Sequence, residues 1–184
     1  MTRSDLLLQI AYAPQILPVP LDQLLAQLVE HEGYRRFAYD DATGGPVRAS
    51  IGNLTVGIGR NLAARGITRA EAEILATADL LHVANRLDDA LPWWRDLKTE
   101  RAAALLELGF NMGVGVEGGR RGLLGFKNML GHLRDGHTYT AAEELLDSLY
   151  ARQVPNRAKA LARQIRTGQW QTSTNRPKTG EVVP

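Results

Sequence analysis

The sequence predicts an α+β protein, with a small sheet lobe near the N-terminus joined by a long helix to a larger lobe of helices. Three observations predict it. Between Phe37 and Gly59, apolar residues alternate and are punctuated by Gly, Pro, Asn and Asp, the pattern of short strands and tight turns. From Thr68 to Asp88, the residues Ala72, Leu75, Ala76, Leu80, Val83 and Leu87 recur at helical spacing behind a capping box. Beyond Leu91 only helical patterns remain.

Residues 1–19 form an extension: a short amphipathic piece, Leu6 to Tyr12, then Pro14, Pro18 and Pro20, which break any continuing helix. A secretory leader is not expected. The leading residues carry no net positive charge, and the apolar run is interrupted by Gln9 and Pro14. No segment reaches membrane-spanning length.

A helix is predicted from about Leu21 to His31 on the spacing of Leu21, Leu24, Leu25, Leu28 and Val29, with Glu32 at its end and Gly33 as the stop. Phe37 and Tyr39 alternate as a strand into Asp40, Asp41 and the turn Thr43-Gly44-Gly45-Pro46. Val47 to Ile51 returns as a second strand, Gly52-Asn53 turns again, and Thr55 to Gly59 is a third. A loop from Asn61 to Gly66 leads to the long helix, where Thr68 caps amides and Glu71 reaches back.

Leu91-Pro92-Trp93-Trp94 is a break, and Thr99 is placed to cap a helix whose apolar face includes Ala102, Leu105, Leu106 and Phe110. A glycine loop (Gly113 to Gly122) precedes a helix from Phe126 to Arg134. Thr140 to Glu143 reads as a second capping box, opening a helix to about Tyr150. Pro155 starts the last helix, to about Arg166, with Gly168 as its stop. Residues 172–184 read as a disordered polar tail.

With 184 residues, 44% hydrophobic and 23% charged, the chain can build one core or two small lobes. It has no cysteine, which excludes disulfides, a thiolate nucleophile and thiolate metal ligands, and fits a reducing compartment. Net charge is only +2, yet from Ala151 to Gly180 there are seven cations (Arg152, Arg157, Lys159, Arg163, Arg166, Arg176, Lys178) and no acid. Such a run suits an anionic surface, although a solvated helix face explains it as well. Nucleic acid is not expected, because no groove-reading or stacking motif accompanies the charge. His31, His82, His132 and His137 have no metal-ligand spacing, and the glycine loop lacks a P-loop lysine, so no metal or cofactor is expected.

The chemistry is expected where the first helix meets the sheet. Glu32 ends a helix, where the macrodipole opposes a carboxylate, and this unfavourable placement points to use rather than stability. An aspartate of the first turn, Asp40 or Asp41, can face it across a crevice with the Thr55 hydroxyl beside them. One carboxyl kept protonated by partial burial and another kept ionised are what glycosidic cleavage requires. Each residue also has an ordinary explanation: Asp beside Gly and Pro is a common turn residue, and Thr is at home in a strand.

Glu32-Gly33 followed by Asp41, then Thr55-Val56-Gly57-Ile58-Gly59, resembles the phage-type lysozymes, the T-even phage lysozyme-like endolysins of glycoside hydrolase family 24. Four further stretches share the resemblance in the same order: Ile67 to Glu73, Gly109 to Gly113, Pro155 to Ala160, and Arg166 to Trp170. It spans residues 20–171. The resemblance implies a lysozyme-like fold with a β lobe at about 33–66, a connecting helix at about 68–88 and a helical lobe at about 92–170.

It further implies a muramidase in which Glu32 is the acid, Asp41 stabilises an oxocarbenium-like transition state and helps place water, and Thr55 orients that water. Inversion is implied, with carboxyls about 6.5 to 9.5 Å apart. Arg157 matches an arginine near the acid, and Asn61, Val114, Met129 and Glu144 match glycan-contact positions, though their residue types differ from the common ones. Also implied are no cofactor and peptidoglycan as the partner; a monomer is expected, and the charge of the basic C-terminal region suits an anionic envelope surface. The expected setting is an endolysin made in the host cytoplasm without a signal peptide and reaching the wall after holin-type release. A virion-borne wall-piercing lysozyme and a non-catalytic glycan-binding module are the alternatives.

The chain departs from the family pattern in two places. Between Asp41 and Thr55 it carries about eight extra residues, a longer hairpin. After Arg60 the connection to the long helix is short, and Arg60, standing where a histidine is common, is expected to pair with Asp79.

Overall fold

Leu8, Ile10 and Ala11 are helical, and a one-turn helix, α1 (Ala13–Ile16), follows, with Pro14 in its first turn where its missing N–H costs nothing. The structure, a computed structural model, describes residues 8, 10–38, 54–58 and 60–171. Ala13, Leu17 and Val19 are buried in the main core, and Arg95 Nη1 donates to the Ile16 carbonyl at 2.9 Å. The described part of the extension is therefore packed onto the domain.

Helix α2 (Leu21–Glu32) buries Leu24, Gln27 and Leu28. It stops at Gly33, whose φ of +78° suits glycine and whose N–H bonds back to the Val29 carbonyl. The sheet among the described residues is a single antiparallel pair, β1 (Thr55–Val56) and β2 (Arg60–Asn61), with Thr55 opposite Asn61 and Val56 opposite Arg60. The expected strand from Thr55 to Gly59 is shortened to two residues, since Gly57 and Ile58 form the turn. Of the strand expected at Phe37 and Tyr39, Phe37 lies in a bend and Tyr39 lies outside the described residues, as does the strand expected from Val47 to Ile51. Part of the expected loop is instead a helical turn, α3 (Leu62–Arg65), because the Asn61 side chain accepts from the Ala64 amide at 3.0 Å and caps it.

Helix α4 (Arg69–Ala90) opens with the expected capping box: Glu71 N–H donates to Thr68 Oγ1, and Thr68 N–H donates to Glu71 Oε2 at 2.7 Å. A 3₁₀ turn, Pro92–Asp96, then buries Trp94, whose Nε1 donates to Asp88 at 2.7 Å. Helix α5 (Thr99–Met112) is central, with every residue from Ala102 to Gly109 buried. Thr99 does not cap it. Lys98 occupies the cap position without a side-chain bond, and Thr99 is already in the first turn.

Four α-helices follow among the described residues: α6 (Lys127–Arg134), α7 (Thr138–Leu146), α8 (Leu149–Gln153) and α9 (Pro155–Thr167). The second capping box is not used, because α7 starts three residues earlier, with His137 rather than Thr140 at the cap position, leaving Thr140 inside it. Nor does α7 run to Tyr150. Ser148 interrupts it and caps α8, its Oγ accepting from the Ala151 amide at 3.1 Å. Helix α9 ends at Gly168 in the left-handed region, as its sequence predicts. The result is a mostly helical α+β fold with a small two-stranded sheet.

Candidate active site

Helix α2 delivers Glu32 as its last residue, and two distant elements reach it. Asn111, one residue from the end of α5, donates its Nδ2 to Glu32 Oε1 at 3.0 Å. Arg157, in the first turn of α9, donates Nη1 to the same oxygen at 2.8 Å and Nη2 to the His31 carbonyl at 2.8 Å. One guanidinium thus binds both the acid's side chain and one of the carbonyls that the end of α2 leaves without intrahelical partners. Pro155 supports this placement, since it starts α9 with no N–H to satisfy and sets Arg157 two residues in.

Partial burial is the expectation for Glu32; its side chain is 38% exposed, whereas that of Arg157 is only 11% exposed. The acid is held by polar contacts at an opening rather than sunk in an apolar pocket. Burial opposes the charge on Arg157, but its hydrogen bond to Glu32 and attraction from Glu32, Tyr150 and Glu107 hold its pKa above the ordinary arginine value. Beside it, burial first and the charges of Glu107 and Glu32 second push the Tyr150 phenol up to about 12, against the opposing pull of Arg157. Tyr150 is therefore a neutral wall of the site. Its hydroxyl meets no partner in hydrogen-bond geometry among the described residues, despite the nearby guanidinium.

A groove of about 580 Å³ lies next to this cluster, starting at Met112 and Tyr150 and lined also by Arg120, Phe126, Met129 and Glu144. Glu144 is held by Asn128, whose Nδ2 donates to it at 3.3 Å. Among the expected glycan contacts, Met129 and Glu144 thus line this groove. Val114 is buried in the core, and Asn61 spends its side-chain oxygen on capping α3. Thr55 is exposed on β1. Asp41 and its neighbour Asp40 lie outside the described residues.

The pairing expected for Arg60 is corrected. Its guanidinium does not engage Asp79 but grips Glu71 with Nη1 at 2.6 Å and Nη2 at 2.8 Å, and the Gly66 carbonyl with Nε at 2.9 Å and Nη2 at 2.7 Å. The short connection brings Arg60 to the first turn of α4, so the near carboxylate captures it before the distant one. The Thr68 amide first, then Arg60 and the Thr68 hydroxyl, pull Glu71 down from 4.5 to about 2.

Asn111 and Glu107 are the residues that sequence reasoning passed over. Asn111 stood within a stretch carrying the resemblance but had no role assigned. Glu107 is a carboxylate amid wholly buried neighbours, and that oddity was its signal.

A helix-end carboxylate held by an arginine and an amide, and open to solvent, is a site for acid chemistry on a polar ligand. The phage lysozyme family profile matches residues 29–164, a span that holds Glu32, Asn111 and Arg157. The chain belongs to the phage lysozyme family, and is accordingly a lysozyme-type hydrolase whose substrate is peptidoglycan.

Proposed function

We propose that this chain is a muramidase that hydrolyses the β-1,4 bond between N-acetylmuramic acid and N-acetylglucosamine, with Glu32 as general acid. The observation that carries the reading is the one-sided grip on Glu32: among the described residues, both donors land on Oε1. A carboxyl oxygen already accepting two bonds is a poor place for a proton, so Oε2 is the atom that holds the proton to be delivered to the leaving sugar oxygen. Once the proton has gone, the remaining carboxylate is paired with Arg157. The Met129 and Glu144 groove is suited to hold the glycan in register beside it.

Asp41 is the proposed second carboxylate, stabilising the oxocarbenium-like transition state, and Thr55 the hydroxyl that orients the attacking water. Water entering opposite the leaving group inverts the anomeric centre, which requires carboxyls about 6.5 to 9.5 Å apart. Biologically the reading is an endolysin that acts on the wall after holin-type release.

Turbidity of chloroform-treated Gram-negative cells tests the proposal. The wild type is expected to clear them. Glu32→Gln keeps the size and the Arg157 contact but has no acid proton to give, so clearing is expected to slow by about a hundredfold or more while wall binding persists. Clearing by the Gln variant at the wild-type rate would remove Glu32 from its role and leave the glycan-binding alternative unneeded as well.

A further inference from the structure

Glu107 puts a carboxylate into the fully buried middle of α5, where its own exposure is 0%. Burying such a group is costly unless each oxygen is satisfied. Both are satisfied from α2: Gln27 Nε2 donates to Oε2 at 2.6 Å, and His31 Nδ1 is in direct contact with Oε1. Gln27 and His31 lie four residues apart, one above the other on the same face of α2. Glu107 and Asn111 are likewise four apart on α5, and Asn111 holds Glu32, the residue after His31. The last two turns of α2 are therefore fastened to α5 at three successive points.

Apolar packing alone would join these helices at lower cost, but it would not fix their rotation. Each residue advances an α-helix by about 100°, so a small turn of α2 about its axis would swing Glu32 off Asn111. Arg157 depends on the same alignment, because it needs the His31 carbonyl and the Glu32 carboxylate together.

We propose that Glu107 is a positioning residue for the hydrolytic reaction: its two contacts to α2 set the rotation and height at which Glu32 is presented to the opening. Fully buried, it touches no substrate. The inference rests on the muramidase reading and deepens it. Reach, rather than charge, is the property required. Gln27 Oε1 has no partner among the described residues, so a glutamine at 107 can be accommodated by turning the Gln27 amide over.

The test is steady-state release of reducing ends from soluble peptidoglycan strands, with thermal unfolding measured alongside. Glu107→Gln keeps the length and is expected to stay within about threefold of the wild-type kcat. Glu107→Asp keeps the charge but retracts it by one methylene. It is expected to lose about tenfold or more in kcat with KM changed less than about twofold, while still unfolding cooperatively, since ångström-scale misplacement acts on the chemical step.

A full kcat for the Asp variant, or an equal loss in the Gln variant, would overturn the proposal. If the Asp variant does not fold, His31→Leu removes the Oε1 contact while keeping the carbonyl that receives Arg157. The same kcat loss is expected there, and an undiminished kcat would overturn the tether. A wild type that releases no reducing ends defeats the muramidase reading itself, whereas an active wild type beside a fully active Asp variant defeats the tether alone.

Discussion

At the scale of single residues, Arg157 shows why side-chain type matters more than charge. Its planar fork binds two acceptors in different directions, Glu32 Oε1 and the His31 carbonyl. Lysine carries the same charge as a point and cannot hold both in fixed geometry. Arg157→Lys is therefore expected to cut the clearing rate by about tenfold or more, through misplacement of the acid, with little change in thermal midpoint. A variant that clears at the wild-type rate would show that the fork has no part in placing Glu32. Glu32 itself was legible in the sequence because a carboxylate ending an apolar helix is out of place electrostatically. Glu107 stood out only as a carboxylate on an apolar stretch, and its role was not legible, since its partners Gln27 and His31 are 80 and 76 residues away and local spacing gives no hint of them.

Gly66 and Glu71 govern how the short connection between β2 and α4 is held. Gly66 sits at φ +59° and ψ −153°, a region that only glycine enters readily, and a Cβ there would stand 2.2 Å from the Arg36 carbonyl oxygen. The neighbouring Ile67 amide donates to that same oxygen at 2.7 Å, and Tyr34 donates its hydroxyl to the Ile67 carbonyl at 2.8 Å, so the backbone cannot easily yield. Gly66→Ala is expected to lower stability on the order of 2 to 3 kcal/mol in denaturant titration. An unchanged midpoint would mean that the clamp moves freely.

Glu71 gives a pH prediction for the same element. Its folded pKa of about 2 lies below the ordinary 4.5, so the folded state binds fewer protons than the unfolded state between these values. The contribution is complete above pH 4.5 and is lost as pH falls toward about 2. The thermal midpoint of the wild type should fall over that window more steeply than that of Glu71→Gln. Parallel curves would show that the Arg60 and Thr68 contacts add nothing. The capping box here was readable because all its parts are local, whereas the one at Thr140 misled because Gly136 ends the preceding helix early enough for α7 to begin first.

For the whole molecule, the helical order and most boundaries follow from apolar spacing, glycine stops and Pro155, because these act within a few residues. Packing of the N-terminal segment, the break at Ser148 and the partner of Arg60 did not, because each depends on what lies next to it in three dimensions. The same division applies to the site: Glu32 could be proposed from its position, but the grip of Asn111 and Arg157 arises only when α5 and α9 meet the end of α2. The central claim is that this meeting point cleaves a glycosidic bond of chosen identity. Analysis of the ends released from purified peptidoglycan tests it most directly. The account predicts new reducing ends on N-acetylmuramic acid, first formed in the α configuration, and none with Glu32→Gln. Reducing ends on N-acetylglucosamine, anhydro ends, or no new ends from the wild type would contradict it.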